Sequence, residues 1–142
     1  MQVKDLMNPS VVTIEPGSSA ALAARLLSRH NVGSLPVCSG DRKLRGVVTD
    51  RDIVLRCVAA EEDPAQTPVR DIMSRACVTV APGDDCRKAS HLMAVRQVRR
   101  LPVVEDGRLV GMLSLGDLAT SRSYDTEAAQ ALTEISENIV TR

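Results

Sequence analysis

Tryptophan and phenylalanine are absent from this chain, and its single aromatic residue is Tyr124. A protein so poor in aromatics lacks the stacking platforms on which single-stranded nucleic acids are held. Excess charge is missing too. Eighteen basic residues balance eighteen acidic ones, which removes the electrostatic footprint of a DNA- or RNA-binding domain. No apolar run approaches the roughly 20 residues of a membrane span, and the opening MQVKDLMNPS has no apolar signal region. Histidine is scarce (His30 and His91), and Cys38, Cys57, Cys77 and Cys86 form no C-x-x-C pair. A zinc site is therefore not expected, and the thiols read as small, partly buried residues of a reducing compartment. There is no Walker loop and no G-x-G-x-x-G, and no catalytic constellation surrounds either histidine. These absences lead to the expectation of a soluble, cytoplasmic, non-enzymatic protein without a cofactor, metal, nucleic-acid or membrane partner.

What is present is a core-forming composition and a repeat. The chain is 44% hydrophobic over 142 residues, mostly Val, Leu, Ala and Ile, about one ordinary domain. VKDLM at 3–7 returns as VRDIM at 69–73, and VVTIEPGSSA at 11–20 as CVTVAPGDDC at 77–86. HNVGSLPV at 30–37 returns as RQVRRLPV at 96–103, and GVVTDRDIV at 46–54 as GMLSLGDLA at 111–119. Repetition at this scale signals one supersecondary unit used twice. Each copy is too small to bury much surface alone, so the two are expected to pack together.

Each copy reads as α-β-α-β-β-α. A helical turn (Lys4–Met7, Arg70–Met73) leads to a strand, VVTI or VTV, which Pro16-Gly17 or Pro82-Gly83 breaks. A helix capped by Ser18 or Ser19, or by Asp84 or Asp85, follows. Leu22, Ala23, Leu26 and Leu27, and Ala89, Leu92 and Met93, give these helices an apolar face at helical spacing. Two strands joined by a polar turn come next, and a last helix starts after Thr49 or Ser114. Residues 59–68 read as a surface linker. Residues 125–141 read as one more helix, with Ala129, Leu132, Ile135 and Ile139 on one face.

Thr49-x-x-Asp52 and Ser114-x-x-Asp117 are capping boxes by spacing, which gives both pairs a purely structural role. RQVRRLP places Arg99 and Arg100 where the first copy has Gly33 and Ser34. By themselves these arginines read as a solvated charged edge that maintains solubility.

The doubled unit resembles a tandem pair of CBS domains, a Bateman module, over residues 1 to about 122. The resemblance rests on DLM or DIM, the V-T-hydrophobic strand with Pro-Gly, LPV, and G-h-h-[TS]-x-x-D, in order and twice. It extends to the small stand-alone bacterial CBS-pair proteins, some linked to hypoxia or stress. It implies an α+β fold of two β-α-β-β-α repeats related by a pseudo-twofold axis: repeat 1 over 1–60, repeat 2 over 61–122, and a C-terminal helical tail over 123–142. It implies an adenine nucleotide of the AMP, ADP or ATP class in clefts between the copies, and the residue types suit such a ligand. Asp52 or Asp117 can accept hydrogen bonds from two ribose hydroxyls without a competing donor. Thr49 and Ser114 can donate to a ribose or phosphate oxygen, beside the backbone N–H groups of the helix start. By the same resemblance Arg99 and Arg100, with Arg51 and Arg122 after them, are candidate phosphate contacts. The adenine would lie near Thr13–Ile14 with Leu35–Pro36, or near Thr79–Val80 with Leu101–Pro102. Homodimerisation through helices and an unidentified effector protein are implied as well. The alternatives are a ligand-free dimerisation module and a redox- or metal-responsive stress protein using Cys38 or its neighbours.

Overall fold

The computed structural model describes residues 1–120 and Ile135. The chain forms two compact units, Val12–Cys77 and Met1–Val11 together with Val78–Arg142. The first holds α2 (Ala20–His30), β1 (Ser34–Cys38), β2 (Leu44–Thr49) and α3 (Asp50–Ile53). It is called here the first-repeat unit. The second-repeat unit holds α1 (Val3–Leu6), α4 (Cys86–Arg96), β3 (Arg100–Glu105), β4 (Arg108–Ser114) and α5 (Leu115–Ala119). The architecture is mixed helix and strand in small sheets, as the resemblance implies.

Local chemistry explains the element boundaries. Ser19 Oγ accepts from Leu22 N at 3.0 Å and starts α2, and Asp85 Oδ1 accepts from Arg87 N at 2.8 Å and starts α4. Both helices end on a left-handed residue, Asn31 or Gln97. In the first hairpin Leu35 lies opposite Val48 and Val37 opposite Gly46; in the second Leu101 lies opposite Leu113 and Val103 opposite Gly111. The second hairpin turns on Asp106 and Gly107, both at positive φ (54° and 78°), as a type I′ turn requires.

The strands expected at VVTI and VTV shrink to one residue each. Ile14 bonds Pro36 O and Cys38 N, and Val80 bonds Pro102 O and Val104 N, both parallel to the neighbouring strand. The ladder stops there because the chain turns at once: Ser18 N already bonds Glu15 O, and Asp84 N bonds Ala81 O.

The segment that opens each repeat packs in the unit of the other. Val47 and Ser74 exchange two backbone hydrogen bonds of 2.9 Å, and Asn8 and Met112 do the same in the second-repeat unit. Val69, Ile72 and Met73 accordingly sit in one core with Ala23, Leu27, Leu35, Val37, Val48 and Ile53. Val3 sits in the other with Ala89, Met93, Leu101, Val103, Leu113 and Leu118. Burying each of the Val, Leu, Ile and Met side chains among them contributes about 1.5–3 kcal/mol. The approach of these segments also explains the glycine of each repeat. A Cβ on Gly46 would lie 2.6 Å from the Ser74 carbonyl oxygen, and one on Gly111 2.8 Å from Met7 Sδ.

The expected surface linker is exposed over most of its length, but Thr67 is buried. Its carbonyl and that of Pro64 accept from Ala20 N and Ala21 N, two donors that α2 itself leaves unpaired. The helix expected over 125–141, with Ala129, Leu132 and Ile139, lies outside the described residues, as does Arg122. Ile135 alone is described there, helical and buried.

Candidate functional site

Each hairpin delivers its last strand residue to the start of a short helix. Asp50 N bonds Gly33 O at 3.0 Å and Leu115 N bonds Arg99 O at 2.8 Å, so the residue before β1 or β3 is tied to the first residue of α3 or α5. Both capping boxes form. Thr49 Oγ1 accepts from Asp52 N at 3.0 Å while Asp52 Oδ2 accepts from Thr49 N at 3.0 Å. Ser114 Oγ accepts from Asp117 N at 3.0 Å, and Asp117 Oδ2 accepts from Ser114 N at 2.8 Å. One oxygen of each carboxylate is therefore committed to its helix.

The second oxygen separates the two sites. Asp52 is 7% exposed. Its Oδ1 lies 3.7 Å from Arg56 Nη1, and Ser74 Oγ approaches both carboxylate oxygens at 3.4 and 3.5 Å. Arg56 is held in turn by the carbonyls of Ile72 and Met73, at 3.0 and 3.3 Å. Asp117 is half-buried and, among the described residues, has neither a cation nor a second donor. Asn8, the counterpart of Ser74, instead accepts from Ser10 N.

The surroundings differ in charge as well. Arg100 pairs with Ser114 across the hairpin, next to Arg99, and both side chains are exposed with no carboxylate partner among the described residues. At the matching place the first-repeat unit has Gly33, whose Cβ position would lie 3.6 Å from Asp50 Oδ2. Arg51 is exposed on α3.

Among the other predicted residues, Ile14, Leu35, Val80 and Leu101 spend their side chains on the cores of their own units, and Pro36 and Pro102 are buried. Thr13 is half-buried and Thr79 exposed, each one residue before the bridge at Ile14 or Val80. Sequence reasoning missed Arg56 and Ser74. The i,i+4 spacing of Asp52 and Arg56 was a usable signal; Ser74 carried none, because its contact depends on the exchange of opening segments.

Family comparison interprets this doubled corner. The CBS domain model matches residues 3–58 and again 69–124. The chain belongs to the CBS-domain family. It carries two such domains in tandem, and its relatives include stand-alone CBS-domain proteins. It is 45% identical over 134 residues to the CBS domain-containing protein YhcV of Bacillus subtilis, covering 94% of each chain. It is 33% identical over 116 residues to Hypoxic response protein 1 of Mycobacterium tuberculosis, covering 82% of this chain and 81% of the relative. A CBS domain pair crystallised with 5′-methylthioadenosine and S-adenosyl-L-methionine superposes with a TM-score of 0.73 at 26% identity, over 84% of this chain and 94% of that one. Among the described residues no group of three or more His, Cys, Asp or Glu side chains gathers as a metal site, and no helix is long and apolar enough to cross a membrane.

Proposed function

We propose that this CBS pair is a regulatory sensor that binds an adenine nucleotide, of the AMP, ADP or ATP class, at the β4–α5 corner of the second-repeat unit and reports its occupancy to an effector protein. The observation that carries the reading is the half-exposed Asp117 carboxylate with one oxygen unpartnered among the described residues, on a corner whose backbone is tied to Arg99 and Arg100, which have no carboxylate partner among those residues. In this reading Asp117 accepts the ribose hydroxyls, Ser114 adds a hydroxyl contact, and Arg99 and Arg100 take the phosphate. Thr79 and the backbone of Val80, Leu101 and Pro102 border the base. The adenosyl ligands of the structurally similar CBS pair support this class of ligand. The role is binding without a chemical step. The four unpaired cysteines support the cytoplasm as its place. A thermal-shift screen with AMP, ADP, ATP, NAD and S-adenosylmethionine tests the reading; no shift with any of them at millimolar concentration removes it.

A second reading, a ligand-free module acting through homodimerisation, draws on a different observation. Val54, Leu55 and Val58 are each at least half exposed along one turn-and-a-half of helix following α3, and such apolar faces are usually covered. Light scattering on the wild type and Leu55→Glu tests it: a dimer that the substitution weakens supports this reading, and a monomeric wild type rejects it.

A further inference from the structure

We infer that Arg56 keeps ribose off Asp52, so that the chain accepts a nucleoside at its second repeat and refuses one at its first. The inference rests on the proposed ribose-binding role of these aspartates and names the residue that makes the two repeats unequal.

The sequence repeats the carboxylate in both copies, but among the described residues only Asp117 keeps a carboxylate oxygen without a partner. A ribose diol needs two hydroxyls to approach carboxylate lone pairs, of which the group has about four. At Asp52 the capping hydrogen bond uses Oδ2, the Arg56 guanidinium stands over Oδ1, and Ser74 Oγ leans on both. The guanidinium carries a full charge and is tethered within the same unit, so a neutral hydroxyl from solution competes poorly for that oxygen. Its second anchor, the Ile72 and Met73 carbonyls, fixes it over the carboxylate. By sequence the place of Arg56 in the second repeat is taken by Ser121, too short to make such a clamp. The neighbourhood differs too. Asp50 stands beside Gly33 where the other unit has Leu115 beside Arg99, which puts a carboxylate next to the exposed Arg51 at this corner and no acid at the matching place of the other.

Arg56 is also a gate that can be opened. Its side chain is 53% exposed while that of Asp52 is 9% exposed, so replacing the arginine uncovers the acid without emptying a core position. Arg56→Gln keeps a polar side chain with N–H donors and carries no charge.

The test is calorimetric titration with adenosine, which has no phosphate and so reads the ribose site alone. The wild type should take up one adenosine per chain and Asp117→Asn none. Arg56→Gln should take up a second, with affinity at the new site raised about tenfold or more. Arg56→Gln/Asp117→Asn should keep only the new site, and Arg56→Gln/Asp52→Asn only the original one. Circular dichroism establishes that each variant is folded, and Arg56→Ser serves as a second opening variant should the glutamine form fail to fold. If the wild type binds and neither Arg56 variant gains a site, the inference is overturned while the proposed function stands. If the wild type fails to bind but Arg56→Gln does, the reading of Asp117 falls and the inference holds. If none of them binds, both are wrong.

Discussion

Asp52 and Asp117 hold the same place in the two repeats and cap their helices through the same pair of hydrogen bonds, yet among the described residues only Asp52 has a cation beside it, Arg56 Nη1 at 3.7 Å. A doubled sequence has thus become two unequal corners. One is buried and clamped by an arginine. The other, among the described residues, is half-open and flanked by two exposed arginines.

The glycines of the two G-h-h motifs should not tolerate alanine equally. In Gly46→Ala the new methyl meets a backbone carbonyl, Ser74 O at 2.6 Å, which can retreat only by opening the bridge to Val47. In Gly111→Ala the nearest atom is the flexible Met7 Sδ at 2.8 Å, with Asn8 O at 3.1 Å. Overpacking of this kind costs about 1–3 kcal/mol. Gly46→Ala should fall at or above the upper end and Gly111→Ala toward the lower, measured by urea denaturation. Equal and negligible costs would mean that the opening segments do not pack where described.

Acid should expose the contribution of Asp84. Its carboxylate accepts from Ala81 N at 2.8 Å and pairs with Lys88 at 3.3 Å, and the backbone hydrogen bond above all holds its pKa below the ordinary 3.8. A group with a depressed folded pKa stabilises fully above its unfolded value and loses that contribution as pH falls through the folded one. The wild type should therefore lose stability below about pH 4, and Asp84→Asn should lose less over the same interval. Parallel curves in an acid series of thermal melts would contradict this.

Thiol chemistry should be slow. Burial raises the pKa of Cys38, Cys77 and Cys86 above 9.0, with Arg42 opposing the shift at Cys38, so little thiolate exists at neutral pH. Cys57 is also buried. Labelling with a disulfide reagent at pH 7 should be far slower in the native protein than in guanidinium, where all four react. By linkage these raised pKa values contribute stability that is lost as pH rises above about 9. Rapid native labelling of Cys38 would favour the redox-responsive reading instead.

Much of the fold was legible because the repeat supplied each pattern twice. The Pro-Gly breaks, the caps at Ser19 and Asp85, and both capping boxes rest on local rules that a sequence displays directly. The exchange of opening segments was not legible, because VKDLM and VRDIM look alike and nothing local says which hairpin either one joins. The roles of Leu35 and Leu101 were hidden for a related reason. An LPV strand announces an apolar face but not whether that face meets a ligand or its own core. The inequality of the aspartates needed both kinds of information: a helical i,i+4 pair visible in sequence, and Ser74, Ile72 and Met73 brought to it only by the fold.

The central claim, a nucleotide whose ribose lies on Asp117 and whose phosphate lies on Arg99 and Arg100, is tested most directly by titrating AMP and adenosine in parallel into the wild type, Arg100→Ala, Asp117→Asn and Asp52→Asn. Losing a charge-assisted contact costs about 1.5–3 kcal/mol, or roughly 10- to 150-fold in affinity. Arg100→Ala should weaken AMP by about that factor and leave adenosine unchanged. Asp117→Asn should weaken both, and Asp52→Asn should change neither by more than a few-fold. Equal weakening of AMP and adenosine by Arg100→Ala, or a larger loss from Asp52→Asn than from Asp117→Asn, would contradict the account.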